Sequence, residues 1–164
     1  MNPILTNASQ LKQIIEQEVQ VMQSLSLLLS EEQQVLVNNE SEKLELITPN
    51  KNQLLTQIVE LEKSRSHAMN QLGLPNDAKG MQALFSGDAD AKALQSLWQT
   101  LIQISSTAQE QNKTNGLLIN RQINKNQATL SILQSGNNHQ AGSMYGADGQ
   151  SKIKASAARG IVAG

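Results

Sequence analysis

Very few residues in this chain are of the types and spacing that do chemistry. Its histidines are His67 and His139 alone, and neither has the nearby ligands that a metal site or a general base requires. The string Gly146-Ala-Asp-Gly149 lacks both the lysine and the preceding strand of a phosphate-cradling loop. Acidic residues occur singly or as Glu31-Glu32, which the helical spacing puts on an exposed face with nothing to raise a carboxyl pKa. Cysteine is absent, so disulfides and thiolate metal sites are excluded and a reducing compartment is natural. No nucleophile and base come together. The chain is therefore expected not to be an enzyme, with no catalytic residues, no cofactor and no metal.

One residue is conspicuous for another reason. The chain contains a single Trp, a single Phe and a single Tyr. Trp98 and Phe85 fall where apolar residues recur. Tyr145 sits in Gly-Ser-Met-Tyr-Gly-Ala-Asp-Gly-Gln, residues 142–150, among glycines that cannot build a core.

The elements that must position these residues read as helices. Ile14-Ile15, Val21-Met22, Leu28-Leu29 and Val35-Leu36 repeat every seven residues, which puts them on one broad face of a helix over about 8–38. Leu44, Ile47, Lys51, Leu54, Ile58, Leu61, Arg65, Ala68 and Leu72 follow in steps of three and four. This is a seam of coiled-coil type, with Lys51 and Arg65 snorkelling outward from it. Pro49 interrupts the seam, and Thr48-Pro49 resembles an N-cap followed by a first helical proline. The expectation is a short segment at 41–47, a break at Thr48-Pro49, and a helix to about Leu72, ended by Gly73 and Pro75. Residues 73–90 form a connector with a short helix at Asp77–Phe85. Its Leu84 and Phe85 tuck against the end of the bundle.

A third helix is predicted from about Ala89 to Gln134. Leu94, Leu97, Trp98, Leu101, Ile104 and Ala108 line its first half. Gln111, Asn112, Asn115 and Gly116 then make the face polar and small, before Leu118, Ile119, Ile123, Leu130 and Leu133 resume. Asn115-Gly116 marks either a kink or a point of close helix packing rather than a chemical site, because glycine in a helix interior costs about 1 kcal/mol relative to alanine. The fold class is all-α: an elongated antiparallel bundle of three long helices, a short extra helix and a flexible C-terminal tail. The domain division is 1–134 for the bundle and 135–164 for a partner-binding tail.

That tail cannot fold alone. Complete burial of Met144, Tyr145, Ile153, Ile161 and Val162 would contribute on the order of 10 kcal/mol. Ordering the backbone would cost roughly 30 kcal/mol. Ile153, Ala157 and Ile161 stand four apart, with Lys152, Lys154 and Arg159 as charged complement, a pattern that becomes a short amphipathic helix on a partner.

Net charge is −1 overall, but residues 1–62 carry −6 and the remainder +5. This mild asymmetry is no footprint for nucleic acid. No apolar run, Leu27–Leu29 included, exceeds three residues, too short to cross a bilayer, and no stable membrane insertion or signal peptide is expected. A cytoplasmic location follows.

In this order, the amphipathic first helix, the Leu-x-x-Ile…Lys-x-x-Leu-Leu-x-x-Ile second helix and the Leu-Trp third helix resemble a known family. Gln111-Asn112-Lys-Thr-Asn115-Gly116-Leu-Leu-Ile119 and Tyr145-Gly146-Ala-Asp148-Gly149-Gln150 complete the likeness, which is to the FlgN-type flagellar export chaperones and covers nearly the whole chain. Proline at 49 and the alanine-rich end depart from that pattern. The resemblance implies a cytosolic chaperone of flagellar type III secretion that binds hook–filament junction proteins and keeps their terminal helices from premature assembly. It implies client binding at Leu130, Leu133, Ile153, Ala157, Ile161 and Val162. It further implies that Tyr145, Gly146, Asp148 and Gly149 contact the cytoplasmic domain of the flagellar export gate. On the residues alone, a self-associating coiled-coil scaffold is the alternative.

Overall fold

In a computed structural model the backbone is described for residues 3–147 and the side chains for residues 7–136. It consists of helices: α1 (Pro3–Val37), α2 (Ser41–Gln71), α3 (Ala78–Ala83) and α4 (Ala89–Ala147). The chain divides into two compact units, Met1–Leu118 and Ile119–Gly164, with the division inside α4.

Within the first unit, α2 runs antiparallel to α1, and the first half of α4 runs parallel to α1. The cross-links between helices fix these directions: Glu18 meets Arg65 near Trp98, and Glu32 meets both Lys51 and Asn115. The apolar pairs predicted on α1 face inward, with Ile15, Leu29, Val35 and Leu36 buried and joined by Leu11, Val19 and Leu25. One core cluster gathers Leu11, Ile15 and Val19 with Ala68, Met69, Met81, Leu94 and Leu101. A second joins Leu25, Leu29, Ile58 and Ala108. Full burial of one such side chain contributes about 1.5–3 kcal/mol.

Both long helices of the hairpin end in the same way. Asn39 takes φ 57° just after α1, with Glu40 N–H bonded to Val35 O and Asn39 N–H to Leu36 O. Gly73 takes φ 71° after α2, with Leu74 N–H bonded to Met69 O and Gly73 N–H to Asn70 O. A left-handed residue with this bond pair satisfies carbonyls that the helix end would otherwise orphan. The short α3 starts as the sequence suggested: the Asp77 side chain accepts from Gly80 N–H at 2.8 Å. Gly80 is required there for space, since a Cβ would lie 1.9 Å from Pro75 O. Leu84 and Phe85 pack against the first core cluster.

Six expectations are corrected. Pro49 does not break the second helix, because α2 is continuous through it. Thr48 is not an N-cap; its hydroxyl donates to Leu44 O one turn back, at 3.0 Å. An interior proline costs about 3 kcal/mol, but Ile47 is buried on one side of it and Lys51 is anchored to α1 on the other. Those contacts hold both turns in one helical phase, and the exposed Glu45, whose carbonyl loses its donor, faces water.

Lys51 and Arg65 do not snorkel outward, and Glu32 does not share the exposed face of Glu31. All three are drawn into the bundle as ion pairs. Gly116 is not a close-packing point, since a Cβ there would meet nothing within 4 Å. The buried residue of that pair is Asn115. Finally, α4 does not stop near Gln134 but continues to Ala147. Gly136 and Gly142 each cost about 1 kcal/mol there, but no proline intervenes, and extending an existing helix adds one hydrogen bond per residue fixed.

Candidate partner-binding site

The polar groups inside the first unit serve architecture. Arg65 Nε donates to both oxygens of Glu18, at 2.9 and 3.1 Å, and Nη1 donates to Asn76 Oδ1 at 2.8 Å. Its guanidinium lies 5.1 Å from the centroid of the Trp98 ring, a stacking that suits its flat, weakly hydrated cation. Two heptads along α1, Lys51 Nζ donates to both oxygens of Glu32, at 3.1 and 3.2 Å. Asn115 Nδ2 reaches the same carboxylate and Leu29 O, each at 2.8 Å. Beside it, Gln111 accepts from Ser26 and donates to Ser30. Each polar layer thus crosses all three helices. A slip by one turn would leave buried charges unpaired, so these layers set the register.

Glu18 shows what that placement costs. Burial lifts its carboxyl above the ordinary value, with the Arg65 hydrogen bond and charge acting in the opposite direction. A carboxyl whose pKa is raised by folding binds more protons in the folded state than in the unfolded one. Its contribution to stability is therefore lost as pH rises from the ordinary carboxylate range through the folded pKa. Glu18→Gln removes this titration. The stability of wild type minus that of Glu18→Gln is expected to fall as pH rises across the weakly acidic range, measured by urea unfolding at several pH values. A difference that grew with pH would mean that Arg65, not burial, dominates.

Between α2 and α4 lies a cleft of about 180 Å³ with Leu25, Leu29, Ile58 and Ala108 in its lining. Among the described residues no group of three His, Asp or Glu could hold a metal ion. No described helix is long and apolar enough to cross a membrane.

The second unit has a different character. Successive helical residues are about 100° apart, so Ile119, Ile123, Leu130 and Leu133 share one face of α4. Ile123 is 47 % exposed, Leu130 58 % and Leu133 60 %. Aliphatic side chains spaced in this way on a helix offer a seam for another helix. Chemically this face can bind apolar surface and do nothing else.

Of the residues assigned to partner binding by resemblance, the structure places Leu130 and Leu133 together on that face. The backbone of Tyr145 and Gly146 lies in the last turn of α4. Asp148, Gly149, Ile153, Ala157, Ile161 and Val162 lie outside the described residues. Ile119 and Ile123 were not assigned a binding role, although their spacing of four, continued to Leu130, was the signal for one.

Comparison with known proteins agrees with this all-helical layout. The family model described as FlgN protein matches residues 1–153. The flagella synthesis protein FlgN of Proteus mirabilis is 30 % identical over 154 residues, covering 93 % of this chain and 97 % of that protein. The flagella synthesis protein FlgN of Salmonella typhimurium is 28 % identical over 147 residues, covering 88 % and 92 %. A crystal structure of an FlgN-type chain from Pseudomonas aeruginosa superposes with a TM-score of 0.62 at 22 % identity, over 73 % of this chain and 89 % of that one, and so supports the fold. With a family match across nearly all of its length and relatives that align end to end, this chain belongs to the FlgN family of flagella synthesis proteins.

Proposed function

We propose that the protein is a cytoplasmic chaperone of flagellar type III export, which binds hook–filament junction proteins, holds back their assembly and delivers them to the export gate. The observation that carries this reading is the aliphatic face of half-buried Ile119 and exposed Ile123, Leu130 and Leu133 in a member of a flagellar family. Such a face covers a client's amphipathic terminal helix and releases it again, since a few aliphatic contacts bind without locking. Residues beyond Ala147, with Ile153, Ala157, Ile161 and Val162, extend the client surface. Tyr145, Gly146, Asp148 and Gly149 form the contact with the cytoplasmic domain of the gate, for which a tyrosine offers large area and one polar handle at little rotamer cost. The chaperone consumes no nucleotide and needs no metal.

The test is a co-elution experiment. The purified full chain is mixed with the C-terminal segments of the same organism's hook–filament junction proteins and passed over a sizing column. A stoichiometric complex with at least one segment is the expected result. Failure to retain any of them overturns the proposal.

A further inference from the structure

The same stretch of α4 has a second face. Arg121, Lys125, Ala128 and Ile132 follow at steps of four, three and four, about 180–240° around the helix from Ile119 and therefore opposite the aliphatic stripe. Ile132 is 71 % exposed, and Arg121, Lys125 and Ala128 are exposed as well. Like most of the described lysines, Arg121 and Lys125 have no ion pair among the described residues. No acid occurs in the sequence between Glu110 and Asp148, so α4 itself cannot neutralise them beyond Glu110. Like charges one turn apart are unfavourable on an isolated helix. A face that combines two unneutralised cations with an exposed isoleucine is complementary to an anionic surface that also offers apolar contact.

Three kinds of anionic partner are conceivable, and the face discriminates among them. Nucleic acid calls for a dense basic patch, which two cations do not make. An anionic membrane calls for a cluster of about 4–8 basic residues or a broad apolar face. An acidic amphipathic helix needs only carboxylates one turn apart beside an aliphatic residue, which is what Arg121, Lys125 and Ile132 match. We infer that this face binds an acidic amphipathic helix of a partner protein, with Arg121 and Lys125 as its specificity-determining residues. The inference goes beyond the chaperone reading: the two faces point away from each other, so one helix can be held on each at the same time.

The full chain is titrated, by fluorescence anisotropy at low and high salt, against a labelled synthetic helix of about 20 residues, long enough to be helical when bound. The peptide carries two glutamates one turn apart and leucines on the same face. A second peptide has glutamine at both positions. The full chain is expected to bind the glutamate peptide about tenfold more tightly than the glutamine peptide at low salt, a preference that high salt removes. Arg121→Glu with Lys125→Glu should produce the same tenfold loss, with helicity unchanged because both sites are exposed. Leu130→Gln with Leu133→Gln should leave this binding alone, which separates the inference from the client reading. Equal binding of the two peptides overturns it, as does binding of neither, or a loss confined to the Leu130 and Leu133 variant. Binding of phosphatidylserine vesicles or of a single-stranded oligonucleotide that depends on Arg121 and Lys125, without binding of the peptide, also overturns it and reassigns the face.

Discussion

Lys51→Met is expected to destabilise the first unit by about 3 kcal/mol. Methionine keeps the length of the aliphatic stem, so packing changes little. What changes is the carboxylate opposite: the Glu32 side chain is 3 % exposed and would lose its cation, keeping Asn115 Nδ2 as a donor. An uncompensated buried charge is what makes the loss of one partner expensive, even where the intact pair contributes little net stability. The larger cost of breaking the pair than of deleting it gives a second reading. Glu32→Leu with Lys51→Met should recover part of the loss, and adding Asn115→Leu should recover more, because otherwise Asn115 loses an acceptor in a site where its Oδ1 already lacks a partner. Urea unfolding followed by far-ultraviolet circular dichroism measures all three. A cost for Lys51→Met below about 1 kcal/mol would show that Glu32 is in effect solvated like a surface pair.

The second large effect is expected on binding. Leu130→Gln with Leu133→Gln should weaken capture of a junction-protein segment by more than about a hundredfold, or about 3 kcal/mol, in keeping with the loss of two central anchors. Glutamine is a strong helix former, and both leucines are exposed, so the melting curve of the protein should move little. That separation matters. A variant that keeps its helicity and loses its partner assigns the face to recognition, whereas a variant that loses both says that the leucines hold the protein itself together. Unchanged capture would leave the stripe without a role in client binding.

The candidate site was legible in part. Ile119, Ile123, Leu130 and Leu133, at steps of four, seven and three, mark one apolar helical face from the residues alone, and family resemblance singled out Leu130 and Leu133. The spacing could not say whether that face is covered. Leu94 and Leu101 recur on α4 in the same way and are buried, while Leu130 and Leu133 lie in water. Periodicity states which residues share a face; it is silent on what packs there. The basic face was missed because Arg121 and Lys125 look like ordinary solvated charges, although the lack of any acid between Glu110 and Asp148 was already legible in the sequence.

By itself the sequence determined the local structure: the heptad repeats, a short helix starting at Asp77, Gly73 as a terminator and, among the described residues, helices without strands. These depend on neighbours within a turn or two, which are always present. Tertiary structure decided the fate of Pro49, of Lys51 and Arg65, and of Glu32 and Asn115. A proline inside a helix is tolerated only if packing on both sides outweighs its cost. A cation at a seam position turns outward or inward according to whether a carboxylate on another helix arrives at the same level. That depends on how far α2 is slid along α1, a quantity recorded in the relation between two helices and in neither one alone.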